Sequence, residues 1–154
     1  MSSQERVSFC IVCIANYCRS PVFELLLRKK YGDKFEFFSA GIYPMSKPSM
    51  DPRSSEYLKS LGIKNVLHTP KKISNKMLNY FDFFIAVDII VLNALNTTFP
   101  QFKNKFFLAN KDLKNIYIED PYTMNNEEYL KIMEKISFVV DSINLEEFKV
   151  YKSL

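Results

Sequence analysis

Short apolar runs alternate with longer segments that mix apolar and polar residues over most of the chain. Residues 7–14 are almost wholly apolar and rich in β-branched side chains, which predicts a strand buried on both faces of a sheet. Similar runs predict strands at 35–40, 83–87 and 105–108. The segments between and after them predict helices at 21–30, 53–61, 74–80, 89–96 and from Asn125 to about Phe148.

Residues suited to helix ends support these boundaries. Pro21 fits the first turn of a helix, and Asp51 before Pro52 has the features of an N-cap. Strands that alternate with helices indicate an α/β fold, and we expect a single three-layer domain over residues 1–154. Its centre would be a four-stranded parallel sheet with helices on both faces. Ligands of such sheets bind at the carboxyl ends of the strands, where the turn at residues 13–20 lies.

Composition narrows the possible functions. Apolar residues make up 47% of the 154 residues, and fourteen Phe with no Trp indicate a core built largely from phenylalanine. The net charge of +4 favours an anionic ligand, but the lysines are too dispersed to indicate binding of nucleic acid. No apolar stretch reaches the length of a membrane span, and the polar residues 1–6 do not fit a signal peptide. We therefore expect a cytoplasmic protein without a membrane partner.

The three cysteines, Cys10, Cys13 and Cys18, lie within nine residues of one another near the N-terminus. An odd, clustered set is a poor disulfide framework and fits a reducing compartment with one functional thiol. Cys10 lies mid-strand and is expected in the core. Cys18 has two interpretations, a reversible disulfide with Cys13 or a packed, silent thiol. Two thiols and a single His supply too few soft ligands for zinc, so we expect neither a metal nor another cofactor.

Cys13 is followed by five residues and then by Arg19, Ser20 and Pro21, between a predicted strand and a predicted helix. A loop curled from Cys13 to Arg19 can direct successive backbone N–H groups into one concavity, which forms an anion nest. The helix N-terminus adds a partial positive charge. Arg19 supplies a planar guanidinium that matches two phosphate oxygens. The spacing therefore predicts a site for a tetrahedral oxyanion above the Cys13 sulfur.

The same positive field favours the thiolate form of Cys13, which would make this residue a nucleophile. Ser20 is placed to donate a hydrogen bond to the sulfur and to stabilise the thiolate when it leaves again. The predicted phosphate-binding positions are Ile14, Ala15, Asn16, Tyr17, Cys18 and Arg19.

The stretch from Cys13 to Pro21 resembles the signature loop of the low-molecular-weight protein tyrosine phosphatases, and the resemblance covers most of the chain. It continues in Ser39-Ala40-Gly41, Asp51-Pro52-Arg53, Phe81-Asp82 before an apolar strand that ends in Asp88, and Asp120-Pro121-Tyr122. The resemblance implies hydrolysis of phosphotyrosine in proteins, or of small aryl phosphates, with Cys13 as nucleophile and Arg19 on the phosphate. It also implies binding of inorganic phosphate or a similar oxyanion.

The resemblance further implies roles for supporting residues. Asn16 would hold the loop in an unusual backbone shape, His68 would anchor the loop, and Asp120 would be the general acid. An acid is needed because tyrosine departs as a costly anion unless it is protonated, and the resulting carboxylate can then activate water. Of the two Asp-Pro pairs, Asp51 is explained as a helix cap, which favours Asp120 as the acid.

Several positions depart from the family pattern. Ala15 stands where the family usually has Gly, which would strain the loop if that position needs a positive φ. Tyr17 replaces a small aliphatic residue, and we expect it at the rim of the pocket with Tyr43 and Tyr122. Met45 is an alternative to Tyr43 at this rim. The apolar residues 89–91 replace a more polar family stretch. These departures leave the catalytic set intact and the substrate preference open.

Two other functions stay open on the sequence alone. A thiol-based arsenate reductase would share the anion loop, but the chain has no Cys after Cys18 to act as a resolving thiol. Pro21 also favours the phosphatase loop. A non-catalytic phosphoprotein-binding module would keep the loop and turn over slowly, and Ala15 together with the altered segment at 42–50 would account for such a loss.

Overall fold

The computed structural model describes residues 6–153 and has a four-stranded sheet at its centre. The strands are β1 (Ser8–Cys13), β2 (Glu36–Gly41), β3 (Phe83–Ala86) and β4 (Phe106–Leu108). Their order is β2-β1-β3-β4, and every neighbouring pair is parallel. This confirms the predicted α/β fold with a four-stranded parallel sheet. The ends of the predicted domain, residues 1–5 and 154, lie outside the described residues.

The helices follow the predicted segments closely. They are α1 (Ser20–Tyr31), α2 (Pro52–Ser60), α3 (Asn75–Tyr80), α4 (Ile89–Thr98), α5 (Asn126–Ser142) and α6 (Phe148–Ser153). The Asp51 side chain accepts a hydrogen bond from the Arg53 N–H and caps α2, as predicted. Asn125 caps α5 in the same way through the Glu128 N–H. No helix among residues 6–153 has both the length and the apolar character needed to cross a membrane.

Crossover geometry places the helices on both faces of the sheet. The connection through α1 leads from β1 to the edge strand β2, whereas the connection through α4 leads from β3 to the opposite edge at β4. Because such crossovers are right-handed, connections that run in opposite directions lie on opposite faces. Helices α1, α2 and α5 pack against one another in one layer, and α4 packs on β3 and β4.

The last long helix is shorter than predicted. Helix α5 ends at Ser142, where Ile143 turns extended, and Asn144 begins a new 3-10 turn by accepting from the Glu146 N–H. Tyr31 fixes this break, because its hydroxyl donates to the Ile143 carbonyl and accepts from the Leu145 N–H. The periodic pattern continues through the break, which is why the sequence did not show it.

Aromatic rings fill the core at the amino-terminal end of the sheet. Phe9 in β1 contacts the rings of Phe35, Phe37, Phe83 and Phe148, with centroids 5.5–5.7 Å apart. Edge-to-face and offset pairs at such distances add to the stabilisation from burial. At the opposite, carboxyl end of the sheet lies the polar turn that follows Cys13.

Candidate active site

The phosphate loop, residues 13–19, joins the end of β1 to the start of α1. Asn16 has a left-handed φ of 52°, a conformation that Asn tolerates better than most residues. Among the described residues, Ala15 is not one of those with positive φ. The alanine in place of the family's glycine is therefore accommodated without backbone strain.

Most backbone amides of the phosphate loop are left without a partner. Within residues 6–153, no protein acceptor is bonded to the N–H groups of Ile14, Ala15, Tyr17, Cys18 and Arg19. Buried N–H groups are nearly always paired in folded proteins. A run of unpaired donors at a helix N-terminus is the arrangement that binds an oxyanion.

The sulfur of Cys13 lies in a donor-rich environment. The Cys13 side chain is buried, and its Sγ lies 2.9 Å from the Ser20 hydroxyl. The Asn16 N–H donates to the same sulfur at 3.1 Å. Both groups are therefore in position to donate a hydrogen bond to the sulfur.

The Asn16 side chain determines which way these bonds run. Its amide nitrogen donates to the hydroxyls of Ser20, at 2.8 Å, and of Ser39, at 3.0 Å. The Ser39 hydroxyl in turn donates to the buried Glu24 carboxylate at 2.6 Å. Because Ser20 accepts from Asn16, its own proton is free to point at the Cys13 sulfur. The network thus orients Ser20 as a donor to the nucleophile.

Two further contacts hold Asn16 from outside the loop. The His68 Nε2–H donates to the Asn16 carbonyl at 2.9 Å, and the Lys71 N–H donates to the Asn16 side-chain oxygen at 2.9 Å. Burial lowers the pKa of His68, against the opposing effect of its bond to Asn16. The hydrogen bond to the Asn16 carbonyl places His68 beside the backbone of the loop, and His68 does not line the cavity.

The other two cysteines differ from Cys13 in their surroundings. Burial raises the pKa of Cys10 and raises the pKa of Cys18 to about 12. Both thiols stay protonated at neutral pH, which leaves Cys13 as the candidate nucleophile. All three cysteines are free thiols.

Gly41 lets the next strand approach the phosphate loop, a role that the sequence did not reveal. A Cβ at this position would lie 2.7 Å from the Ile14 carbonyl oxygen and 2.9 Å from the Asn16 nitrogen. Just beyond it, the N–H groups of Ile42 and Tyr43 donate to the carbonyls of Cys13 and Ile14. The loop is therefore packed along its backbone, and a side chain at residue 41 would push it out of shape.

Arg19 is almost fully buried and is held by its Nη1 atom. That nitrogen donates to Asp88 Oδ2 at 2.5 Å and to the Ile118 carbonyl at 2.8 Å. No acceptor among residues 6–153 is bonded to its Nε and Nη2 atoms, which leaves one edge of the guanidinium for a bidentate ligand. Asp88 also accepts from the Val91 N–H at the start of α4.

The sequence had shown Asp88 only as part of the resemblance. Its position directly after a buried strand, at the same sheet edge as the phosphate loop, is the signal that could have identified it.

The acid loop, residues 109–125, carries Asp120 on the opposite side of the cavity. Asp120 is exposed, and its Oδ1 accepts from the Tyr122 N–H at 3.1 Å. Arg53 supports this segment from α2, donating to the carbonyls of Tyr122 at 3.0 Å and Met124 at 2.8 Å. Asp51 accepts from the same guanidinium through both of its oxygens, at 3.0 and 2.9 Å. Arg53 is a supporting residue that sequence reasoning missed.

A small cavity of about 50 Å³ brings the three predicted catalytic residues together. It is lined by Cys13, Ala15, Tyr17, Cys18, Arg19, Met45, Asp120 and Tyr122. The ring of Tyr17 packs edge-on against Tyr122, with centroids 5.9 Å apart, and both residues line the cavity.

The third predicted rim residue does not line this cavity. Tyr43 is 73% exposed, since its backbone is bonded to the phosphate loop and its ring extends into solvent. Met45, the alternative at this rim, lines the cavity instead. Within the described part of the chain, no three His, Cys, Asp or Glu side chains group closely enough to hold a metal ion.

Comparison with known proteins agrees with this geometry. The family model described as low molecular weight phosphotyrosine protein phosphatase matches residues 8–148. The low molecular weight protein-tyrosine-phosphatase Ptp of Acinetobacter johnsonii is 34% identical over 113 residues, 73% of this chain and 78% of that protein. The Etp protein of Escherichia coli K12, described in the same terms, is 28% identical over 79% of this chain and 82% of its own.

Solved structures show the same fold. The low molecular weight protein tyrosine phosphatase from T. tengcongensis superposes with a TM-score of 0.78 at 27% identity, over 96% of this chain and 99% of that one. The YwlE arginine phosphatase from Geobacillus stearothermophilus reaches 0.82 at 21% identity, over 96% of both chains, which is a likeness of fold alone. With the loop from Cys13 to Arg19 and nearly the whole sheet inside the matched region, the chain belongs to the low molecular weight phosphotyrosine protein phosphatase family.

Proposed function

We propose that this chain hydrolyses phosphotyrosine in proteins, and small aryl phosphates, through a cysteinyl-phosphate intermediate. The observation that carries the proposal is the convergence of Cys13, Arg19 and Asp120 on one cavity, at a loop whose amides are unpaired. Each group has a position that suits one requirement of the chemistry.

In the first step the phosphoryl group lies in the phosphate loop, with two oxygens on the free edge of Arg19. The Cys13 thiolate attacks phosphorus, so the S–P bond forms as the bond from phosphorus to the tyrosine oxygen breaks. Asp120 gives its proton to that oxygen, and the substrate leaves as a neutral phenol. The loop amides and Arg19 stabilise the charge on the equatorial oxygens of the transition state.

In the second step water hydrolyses the intermediate. The Asp120 carboxylate accepts a proton from the water as its oxygen attacks phosphorus, and the S–P bond breaks. Ser20 donates its hydrogen bond to the departing thiolate, which makes it a better leaving group. Inorganic phosphate is released, and Cys13 and Asp120 return to their starting protonation states.

These two steps need only the phosphate ester, water and groups of the chain itself, so we expect full activity in the presence of a chelator. They also require that Cys13 remain a reduced thiol. For that reason, and because three unpaired thiols suit a reducing compartment, we infer a cytoplasmic location. The proposed partners are phosphotyrosine proteins, aryl phosphates and free phosphate.

The arsenate reductase alternative is not favoured. The matching relatives are described as tyrosine phosphatases. The chain also has no cysteine after Cys18 to complete a reductase cycle.

Rapid-mixing kinetics with an aryl phosphate tests the proposal. We expect a burst of phenol equal in amount to the enzyme, followed by slower phosphate release, together with a strong preference for phosphotyrosine over phosphoserine peptides. Binding of phosphotyrosine peptide without any release of phenol would contradict the proposal and support a binding module.

A further inference from the structure

A second concavity of about 570 Å³, which we call the side groove, opens next to the catalytic cavity. Arg19 and Asp120 line both spaces, so the two are adjacent and share a boundary. The apolar residues that line the side groove are Ile14, Ile89, Ile90, Leu108, Tyr117 and Ile118. Its volume is within the range of pockets that hold a small-molecule-sized group.

The hydrogen bonds of Arg19 fix the side groove relative to the phosphate site. Its Nη1 atom is bonded to Asp88, directly before the wall formed by Ile89 and Ile90. The same atom is bonded to the carbonyl of Ile118, another residue that lines the groove. Two lining segments that are distant in sequence are therefore hydrogen-bonded to the arginine that would hold the phosphate.

Three large apolar side chains at this groove are left in solvent. Ile89, Ile90 and Tyr117 are 53%, 68% and 64% exposed. Scattered apolar residues on a surface need no explanation, but a group of them around one concavity marks an interaction site. Ile89 and Ile90 occupy the first turn of α4, where acidic or polar residues would serve the helix better.

Two of the three carboxylates that line the side groove are paired with cations. Asp88 is paired with Arg19, and Glu119 is paired with Lys135 at 3.3 Å. Asp120 is reserved for proton transfer in the proposed mechanism. The groove therefore offers apolar contact without an unpaired cation, which favours an apolar ligand and disfavours an acidic one.

We propose that the side groove binds an apolar side chain of the substrate polypeptide, within three residues of the phosphotyrosine. This inference rests on the proposed function and adds a sequence preference to it. The boundary that the groove shares with the catalytic cavity at Arg19 and Asp120 carries it. An extended chain advances about 3.3 Å per residue, so side chains within three residues of the phosphotyrosine are near enough to reach across that boundary. The occupant is thus part of the substrate itself.

A panel of phosphotyrosine peptides tests this assignment. Leu, Ala or Asp is placed in turn at each of the three positions on either side of the phosphotyrosine, and kcat/KM is measured. We expect at least one position where Leu exceeds Ala by about 10-fold, the discrimination that an apolar pocket gives for a few carbon atoms. Asp at that position should fall below Ala.

Variants locate the preference in the side groove. In Ile90→Ser and Ile89→Ser the ratio of kcat/KM for the Leu and Ala peptides should fall toward 1. The matched control is Leu67→Ser, which removes an 88% exposed leucine outside the groove and should retain the ratio. A ratio that survives in both isoleucine variants would overturn the assignment.

The outcomes of these experiments distinguish a failure of the groove assignment, which rests on the proposed function, from a failure of the phosphatase activity itself. If wild-type enzyme hydrolyses aryl phosphate but shows equal rates for Leu and Ala peptides at every position, the groove assignment fails and the phosphatase stands. If turnover itself fails, binding of the same intact peptides to Cys13→Ser still tests the groove through the ratio of their Kd values. A dimer in sedimentation that Ile90→Ser dissociates would assign the groove to a second copy and overturn the proposal.

Discussion

The phosphate loop and the acid loop face each other across one cavity, but their polar side chains differ in burial and in number of partners. Asn16 and Ser20 have no exposed surface, and the Asn16 side chain and carbonyl together engage four neighbours. Asp120 is exposed, and its carboxylate accepts one bond from its own turn. Cys13, the proposed nucleophile, is buried. Asp120, the proposed acid, lies on an exposed loop whose backbone carbonyls accept hydrogen bonds from Arg53.

This difference follows from what each side must recognise. In the proposed reaction every substrate presents the same tetrahedral dianion to the phosphate loop, so a fixed loop shape with unpaired amides suits all of them. The acid loop would meet the leaving group and the polypeptide attached to it, which vary. Among the departures from the family pattern, Tyr17 and Met45 line the catalytic cavity, and Ile89 and Ile90 line the side groove. The following predictions test whether the phosphate loop determines the chemistry and the acid loop determines the response to the leaving group.

The largest effect should come from the nucleophile. Cys13→Ser should lower kcat for aryl phosphate by about 10⁴-fold or more, because a serine hydroxyl in this site has no base to ionise it. Phosphate binding should survive, since the loop amides and Arg19 are unchanged. The measurement is turnover together with inorganic phosphate binding by calorimetry.

Cys10→Ala is the matched control for this change. Cys10 is a buried core thiol in the same strand, so its replacement should cost stability and leave turnover near the wild-type value. Wild-type activity in Cys13→Ser would show that another group is the nucleophile.

Loss of the general acid should have the next largest effect. Asp120→Ala should reduce kcat/KM by about 10²–10⁴-fold for phenyl phosphate, whose leaving group needs a proton. The loss should be much smaller for aryl phosphates with acidic phenols, which leave readily as anions. The slope of log(kcat/KM) against leaving-group pKa measures this difference, because kcat/KM reports the step in which the phenol leaves, and an equal loss across the series would rule out proton donation by Asp120.

A smaller effect is expected at the support of the acid loop. Arg53→Lys keeps the charge, but one ammonium group cannot pair with both Asp51 oxygens and also reach the carbonyls of Tyr122 and Met124. We expect kcat/KM to fall by about 10-fold for poor leaving groups, because a displaced acid transfers its proton less effectively. Inhibition by inorganic phosphate should change little.

Lys59→Ala provides the comparison for Arg53→Lys, since it removes an exposed lysine from the same helix. Equal losses for good and poor leaving groups in Arg53→Lys would assign Arg53 to general stability and not to positioning of the acid.

The smallest effect is expected in the pH dependence of stability, through His68, which donates to the Asn16 carbonyl of the phosphate loop. Burial lowers the pKa of His68, so the unfolded chain takes up the proton at a higher pH than the folded chain. The contribution of neutral His68 to stability should be complete above the unfolded pKa of about 6.5 and be lost as pH falls from there through the folded value. Urea unfolding of wild type and His68→Gln between pH 5 and 8 measures this, and parallel curves would contradict it.

Most of the fold could be predicted from local pattern. Buried strands appear as short β-branched runs, and Asp51, Pro21 and Asn125 mark helix starts through chemistry that acts within one turn. The end of α5 could not be predicted in the same way, because Tyr31, more than a hundred residues away in sequence, holds the backbone at Ile143 and Leu145. Local patterns carry no information about partners at such separations.

The same distinction applies to the candidate site: its local features could be predicted from the sequence, and its long-range contacts could not. The spacing from Cys13 to Ser20 by itself determined that an anion nest, a guanidinium and a thiol share one turn, because all of them lie within a single strand-to-helix connection. Only the tertiary structure decided that Asp88 holds Arg19, that Gly41 must lack a side chain, and that Met45 and not Tyr43 lines the cavity. It also decided that Ile89 and Ile90 line a groove adjacent to the catalytic cavity. These features depend on how separate segments meet at one edge of the sheet, and that packing is specified by the folded core rather than by neighbours in sequence.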